Sequence, residues 1–122
     1  MEPTRNIFAE IIEDLSLTGA KDLRGVVALV LEWDTDDVEN LKLGVILEEF
    51  EKQTGRKAKT VSKSLTRIVA HIWQFANEAV LREIYLGHLP AYCPSPKSFI
   101  IRLVYFEQNR RNRMEGDKVV SL

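Results

Sequence analysis

Hydrophobic residues recur at intervals of three and four along most of the chain, and this spacing is typical of amphipathic α-helices. It predicts a first helix from Thr4 or Asn6 to Ser16, ended by a Ser-Leu-Thr-Gly turn. A second, more apolar helix is predicted between Leu23 and Leu31. Little of the chain shows the strict alternation of apolar and polar residues that marks a half-buried strand, so the pattern predicts an all-α fold.

The third and fourth helices are predicted on either side of a short turn. Residues 34–37 contain three aspartates and predict the start of the third helix, because carboxylates accept the free N–H groups of a first helical turn. This helix carries apolar side chains as far as Phe50, and Gly44 is a candidate break within it. The segment Thr54-Gly55-Arg56-Lys57 predicts a turn, after which the fourth helix begins at about Ala58.

The fourth helix, predicted over about residues 58–76, has two different faces. With successive residues about 100° apart, its apolar side chains share one side: Val61, Leu65, Ile68, Val69, Ile72, Phe75 and Ala76. The opposite side, flanked by Thr60 and Thr66, carries Lys59, Lys63, Arg67, Ala70 and Gln74. The sequence therefore predicts one face for the core and one cationic, hydrogen-bonding face that is exposed.

The last part of the chain predicts two more helices. One covers Asn77–Leu86, and after a loop framed by prolines the other runs from Ser98 to about Asn109. We therefore expect a single compact domain of about six helices over residues 1–109 and a frayed tail over residues 110–122. The aromatic side chains expected in its core are Trp33, Phe50, Trp73, Phe75 and Phe99.

Size and composition agree with one soluble domain. A chain of 122 residues with 45% apolar positions can bury one core without disulfides or metals. Its longest apolar run, Val26 to Leu31, is far shorter than the roughly 20 residues of a membrane-spanning helix. The only cysteine, Cys93, cannot form an internal disulfide, which fits a reducing compartment. We expect a cytoplasmic protein with no membrane partner.

The net charge of −1 conceals two oppositely charged halves. Residues 1–55 hold 13 acidic and 5 basic side chains, whereas residues 56–113 hold 3 acidic and 11 basic ones. Clustered cations attract a polyanion whatever the total charge, so the basic half is a candidate surface for a nucleic acid or another partner. The alternative is that the two halves neutralise each other within the fold or between subunits.

Motifs of enzyme and metal chemistry are absent. The sequence contains no glycine-rich phosphate loop, no paired Cys or His at ligand spacing and no Gly-x-Ser-x-Gly element. His71 and His88 belong to different predicted segments, so they predict no metal site. Cys93, in a loop bounded by prolines, is expected to be a small apolar filler rather than a nucleophile. The glutamates within residues 48–51 are expected to form a solvated helix face.

After these exclusions, one candidate functional arrangement is left in the sequence. It consists of a helix, a turn with Gly55, and a second helix whose exposed side bears Lys59, Lys63 and Arg67. A helix-turn-helix requires this order, because the first helix braces the second and the second enters the major groove of DNA. Lys and Arg bind phosphates or guanine edges, and Thr, Ser and Gln hydrogen-bond bases or backbone. The sequence therefore predicts binding to double-stranded DNA.

Several short groups of residues occur in an order that matches a known domain. Residues 22–25, Asp-Leu-Arg-Gly, combine a basic residue with a following glycine and precede the apolar run to Leu31. Ala58, with Val61 and Leu65 after it, leads to Trp73. Further along the chain come Asn77, Pro94 and, five residues after that proline, Phe99-Ile100.

This ordered set resembles the C-terminal DNA-binding effector domain of the sporulation initiation response regulator, the stage zero sporulation protein A family of endospore-forming bacteria. The similarity covers the chain from about Leu15 to Phe106. Glu51 departs from the pattern, because a helix-turn-helix usually has a small residue close to the turn. The receiver domain that controls the family has no counterpart in these 122 residues.

The resemblance implies a six-helix domain with a helix-turn-helix that binds promoter DNA, often as a tandem homodimer, and contacts RNA polymerase sigma factor beside its recognition helix. Carried over by position, contacts to bases and backbone would come from Lys59, Thr60, Ser62, Lys63, Thr66 and Arg67. With the two basic residues of the preceding turn, the candidate DNA-binding residues are Arg56, Lys57, Lys59, Thr60, Ser62, Lys63, Thr66 and Arg67.

We therefore expect a sequence-specific, DNA-binding transcription regulator of the sporulation type. The alternative is a protein-interaction module of the same fold that has lost DNA reading and binds a polymerase subunit, a related regulator or itself. The acidic first half favours this alternative, because a negatively charged surface near DNA repels it. No enzyme activity, cofactor or metal is expected in either case.

Overall fold

The computed structural model describes residues 7–12, 15–33 and 38–120, with side chains up to residue 110. Within these ranges the chain forms one all-α domain of six α-helices and a single 3₁₀ turn, with no strand. The predicted fold class is therefore confirmed. The helices are α1 (Ile7–Ile11), α2 (Thr18–Glu32), α3 (Leu43–Thr54), α4 (Ala58–Phe75), α5 (Glu78–Ile84) and α6 (Pro96–Val120), and the 3₁₀ turn at Val38–Asn40 precedes α3.

The boundary between the first two helices differs from the prediction. The predicted start at Thr4 or Asn6 lies outside the described residues, and α1 ends at Ile11. Of the predicted Ser-Leu-Thr-Gly turn, Ser16 and Leu17 lie outside the helices as predicted, but Thr18 and Gly19 already belong to α2. A Cβ atom on Gly19 would lie 2.8 Å from the Cβ of Ile68. This glycine therefore permits close helix packing, a role that local turn statistics do not reveal.

The third helix begins later than predicted and is not divided. The aspartates at residues 34–37, predicted to start it, lie outside the described residues. After the 3₁₀ turn, α3 runs without interruption from Leu43 to Thr54. Gly44 lies in its first turn, where intrahelical N–H bonds are absent anyway, so the predicted break there is wrong.

The core lies where α2 packs against α3, α4 and α6. Gly25 of α2 lets the ring of Phe50 approach closely, since a Cβ atom there would lie 2.6 Å from its Cε1. On α4, the predicted apolar face is buried at all its central positions, and α6 contributes a fully buried stretch around Phe99. The buried side chains of α4 are Val61, Leu65, Ile68, Val69 and Ile72.

Two of the aromatic side chains predicted in the core lie at the surface. Phe50 and Phe99 are buried as predicted, and Trp73 is partly buried. Trp33 is 40% exposed because it ends α2 with an extended backbone that leaves the helix. Phe75 is 67% exposed, and its ring packs on that of His71 with centroids 4.8 Å apart. Phe75 is the last residue of α4. The helical spacing of apolar residues therefore includes it, although the core ends before this position.

The later helices follow the predicted order. The amide of Ala79 donates a hydrogen bond of 2.8 Å to the Asn77 side chain, which caps α5. Gly87, with φ +89°, follows the end of α5, as expected. The backbone of α6 is helical from Pro96 to Val120, past its predicted end near Asn109, and the division of the chain at residue 110 stays a prediction. No helix in the described part of the chain combines the length and the apolar character needed to cross a membrane.

Candidate nucleic-acid interface

The turn between α3 and α4 is fixed at both of its ends. Gly55 adopts φ +80°, a left-handed conformation that glycine accepts without strain, and ends α3. The amide of Ala58, the first residue of α4, donates a hydrogen bond of 2.7 Å to Glu51 Oε1. A carboxylate at this position satisfies a free N–H group and favours the positive end of the helix dipole. The two helices are therefore joined by a side chain as well as by the turn.

Glu51 has a role that the sequence did not reveal. We expected it on a solvated helix face, and it is unusual for a helix-turn-helix at this distance from the turn. The structure corrects the first expectation, since Glu51 caps the neighbouring helix. Two features of the sequence indicate this capping role. An acidic residue lies seven positions before the first residue of α4, and α4 has no Ser, Thr, Asp or Asn at its own N-cap position.

An ion pair between a partly exposed arginine and a buried carboxylate anchors the turn to α2. Arg56 Nε and Nη2 donate hydrogen bonds of 2.9 and 2.7 Å to the two carboxylate oxygens of Asp22. The Asp22 side chain is 3% exposed, whereas that of Arg56 is 37% exposed. Bidentate pairs of this kind fix orientation as well as distance. The structure therefore gives Arg56, a predicted DNA contact, a structural role, and we leave it out of the proposed contacts.

The other predicted contact residues share an open surface. No carboxylate within the described ranges forms an ion pair with any of their cations. The hydroxyl of Thr66 donates a hydrogen bond of 3.1 Å to the backbone carbonyl of Ser62. The exposed predicted residues are Lys57, Lys59, Thr60, Ser62, Lys63, Thr66 and Arg67. We call this surface the cationic face of α4.

A groove of about 530 Å³ runs beside the cationic face, between the start of α2 and α4. Thr18 and Gly19 form part of one wall, and Lys63, Arg67 and His71 form part of the other. We call it the α2–α4 groove. Sequence reasoning did not single out this groove, because it depends on the close approach of α2 to α4 at Gly19.

Other candidate chemistry is not assembled. In the part of the chain that the structure describes, no three His, Cys, Asp or Glu side chains are grouped so that they could hold a metal ion. Cys93 is exposed, and its thiol lies 3.6 Å from the Pro94 carbonyl oxygen. The expectation that it is a small apolar filler is therefore wrong.

Comparison of the chain with family models, with curated proteins and with solved structures gives no match. The resemblance to the sporulation effector domain accordingly stays a prediction. Function is therefore inferred from the geometry of α3, α4 and the surfaces beside them.

Proposed function

We propose that the protein binds double-stranded DNA through a helix-turn-helix formed by α3 and α4, with α4 as its recognition helix. The observation that carries the proposal is the division of α4 into a buried apolar face and a cationic face that no described carboxylate neutralises. Glu51 and the pair of Asp22 and Arg56 tie the start of α4 to α3 and α2. A rigid, amphipathic helix with outward cations is what a major-groove reader requires.

The dimensions of the cationic face suit the major groove. Lys59 and Arg67 are separated by eight positions along α4, which corresponds to about 12 Å of helix axis. The major groove of B-form DNA is also about 12 Å wide. Side chains at both ends of this stretch can therefore reach opposite phosphate backbones while those between them face base edges.

The side chains divide into two kinds of contact. Lys59, at one end, is a point charge that suits a phosphate, and the planar guanidinium of Arg67, at the other end, can bind a phosphate through two donors. Lys63, between them, can reach the acceptors of a guanine. The hydroxyl groups of Thr60 and Ser62 can bond bases or backbone. In this proposal the protein is a sequence-specific transcription regulator, and the resemblance adds promoter DNA, a homodimer and sigma factor as its expected partners.

A second candidate function is the protein-interaction module. Large apolar side chains are exposed outside the cationic face, and a polymerase subunit, a related regulator or a second copy could cover them. The most exposed are Phe75 at 67%, Leu86 at 66% and Tyr92 at 84%. In this candidate, duplex DNA is not bound even at low ionic strength. We propose no catalytic activity and no cofactor for either function.

The DNA-binding proposal is tested with the double variant Lys63→Ala/Arg67→Ala. Both side chains are exposed, so its melting temperature should stay close to that of the wild type. The slope of log affinity against log salt concentration should fall by about 0.9 for each phosphate that the variant no longer binds. Removal of a hydrogen bond to a base should cost about 1–3 kcal/mol on the selected sequence and little on random DNA. Titrations of both duplexes at several salt concentrations measure these effects.

Lys97→Glu is the matched control. It changes the net charge by the same two units as the double variant, but it lies on α6, outside the cationic face. We expect its salt slope to match that of the wild type. If both variants weaken binding equally, overall charge rather than α4 attracts the DNA, and the proposal is wrong.

A further inference from the structure

The α2–α4 groove carries positive charge that reading of bases by α4 does not use. His71 lines it one helical turn beyond Arg67, outside the set of predicted contacts. Ser64, on the same wall, is partly buried between α4 and α2. Among the residues that the structure describes, the charged side chains that line the groove are basic, and Asp22 compensates one of them, Arg56. The charge of the groove therefore favours an anion.

The opposite wall of the groove adds donors without adding side-chain charge. α2 begins at Thr18, and the preceding residue, Leu17, offers no side-chain cap. The backbone N–H groups in this first turn consequently have no partner within the helix. Gly19 brings them close to α4, since a Cβ atom there would lie 3.4 Å from the Ser64 carbonyl oxygen. The first turn of α2 and the basic side chains of α4 thus line the same groove.

We propose that the α2–α4 groove holds one phosphate of the DNA backbone, beside the base pairs that α4 reads, with Arg67 and His71 as its side-chain ligands. This inference rests on the proposed DNA binding and names a contact that the cationic face alone does not provide. The groove is continuous with that face, because Lys63 and Arg67 belong to both. Its volume of about 530 Å³ lies within the range of small-molecule pockets, so a sugar-phosphate unit fits.

The shape of the groove favours a nucleotide backbone over a free anion. Leu17, which is 41% exposed, and Ile68 give it an apolar part beside the cations. The carbon face of a deoxyribose can pack on such side chains while its phosphate accepts hydrogen bonds. The ring of Phe75 packs on His71 with centroids 4.8 Å apart and helps to orient the imidazole.

Duplexes with single methylphosphonate substitutions test this contact, because each substitution removes the charge of one phosphate. For the wild type, substitution at one backbone position outside the selected base pairs should weaken binding by about tenfold, as expected for one charge-assisted contact. His71→Ala should weaken binding to the unmodified duplex and should reduce its sensitivity to that same substitution. His88→Ala, which removes the other exposed imidazole, outside α4, is the control and should keep the full sensitivity.

A second variant addresses the other wall of the groove. Thr18→Pro removes one amide donor at the first position of α2, where proline is well tolerated. Leu17 has φ −59° and ψ 139°, a conformation that suits the residue before a proline. Thr18→Pro should therefore melt like the wild type and lose sensitivity to the same methylphosphonate as His71→Ala. A reduced sensitivity in both variants supports one shared phosphate.

The outcomes separate this inference from the proposed function. If the wild type binds its duplex but no methylphosphonate outside the selected base pairs has an effect, the groove contact is wrong and DNA reading by α4 stands. If inorganic phosphate shifts the amide NMR signal of Gly19 while no methylphosphonate has an effect, the groove binds free phosphate and the assignment to DNA is overturned. Absence of duplex binding overturns the proposed function and this inference together.

Discussion

At the scale of single residues, Asp22 and Arg56 form a bidentate contact between α2 and the turn before α4. It fixes the turn before α4 to α2, and it uses a carboxylate that is almost fully buried. The sequence shows Asp22 only as a polar residue within an apolar helix. Its partner lies 34 positions away, so the pairing follows from the tertiary fold and not from local spacing.

Arg56→Ala tests this anchor. It leaves the Asp22 carboxylate buried without its partner, which costs about 3–5 kcal/mol for a fully buried pair. Because Arg56 is 37% exposed, water relieves part of this penalty, and we expect a decrease of about 2–3 kcal/mol in unfolding free energy. Urea unfolding at neutral pH measures it. The double variant Asp22→Leu/Arg56→Met, which removes both charges, should be destabilised less, and equal destabilisation would contradict a role for the buried charge.

Tyr85 gives the fold a dependence on alkaline pH. Its side chain is 9% exposed, and burial raises the pKa of Tyr85 to about 12. The Arg102 guanidinium, 5.6 Å from the ring centroid, favours the phenolate and lowers this pKa by less than burial raises it. The pKa is higher in the folded than in the unfolded state. The contribution of the Tyr85 phenol to the free energy of unfolding is therefore complete below pH 10 and is lost between pH 10 and 12.

Unfolding free energies at pH 9 and pH 11 check this dependence. Between these two pH values, the unfolding free energy of the wild type should fall by about 1 kcal/mol more than that of Tyr85→Phe, which has no phenol to ionise. Other alkaline titrations are common to both proteins and cancel in the comparison. An identical loss in the two proteins would show that the Tyr85 phenol ionises as readily in the folded chain as in the unfolded one.

At the scale of helices, strong periodicity made α2, α4 and α6 predictable, whereas tertiary contacts decided what the sequence missed. Gly19 resembles a turn residue, but its lack of a side chain serves the approach of α2 to α4. The helical pattern continues through Phe75 although the core ends before it. The cap that Glu51 supplies to α4 crosses from one helix to the next. The cationic face could be predicted, but the groove beside it could not.

The orientation of α4 is tested by two neighbouring residues. Leu65 is fully buried and Thr66 is exposed. Leu65→Ala should cost about 2–5 kcal/mol, as large-to-small core substitutions do, whereas Thr66→Ala should stay within about 0.5 kcal/mol. Thermal or urea unfolding of the two variants provides the comparison. A larger loss of stability from Thr66→Ala would show that the two faces of the helix are reversed.

At the scale of the whole molecule, the two oppositely charged halves of the sequence neutralise each other only in part among the described residues. The acidic half could have neutralised the basic half, and at Asp22 and Arg56 it does. The cations of α4 have no such partner among the described carboxylates, so they stay open to a polyanion. Within the part of the chain that the structure describes, the predicted DNA-binding surface therefore keeps the charge of its cations.

Reading of duplex DNA by α4 is the proposal on which the others depend, and it is tested by letting the wild-type chain select duplexes from a random pool. At low ionic strength we expect duplexes to be retained, and successive rounds should enrich a short common sequence. That sequence should bind at least about 10³-fold more tightly than random DNA. Retention of all duplexes alike would contradict base reading. Retention of none would contradict DNA binding itself and favour the protein-interaction module.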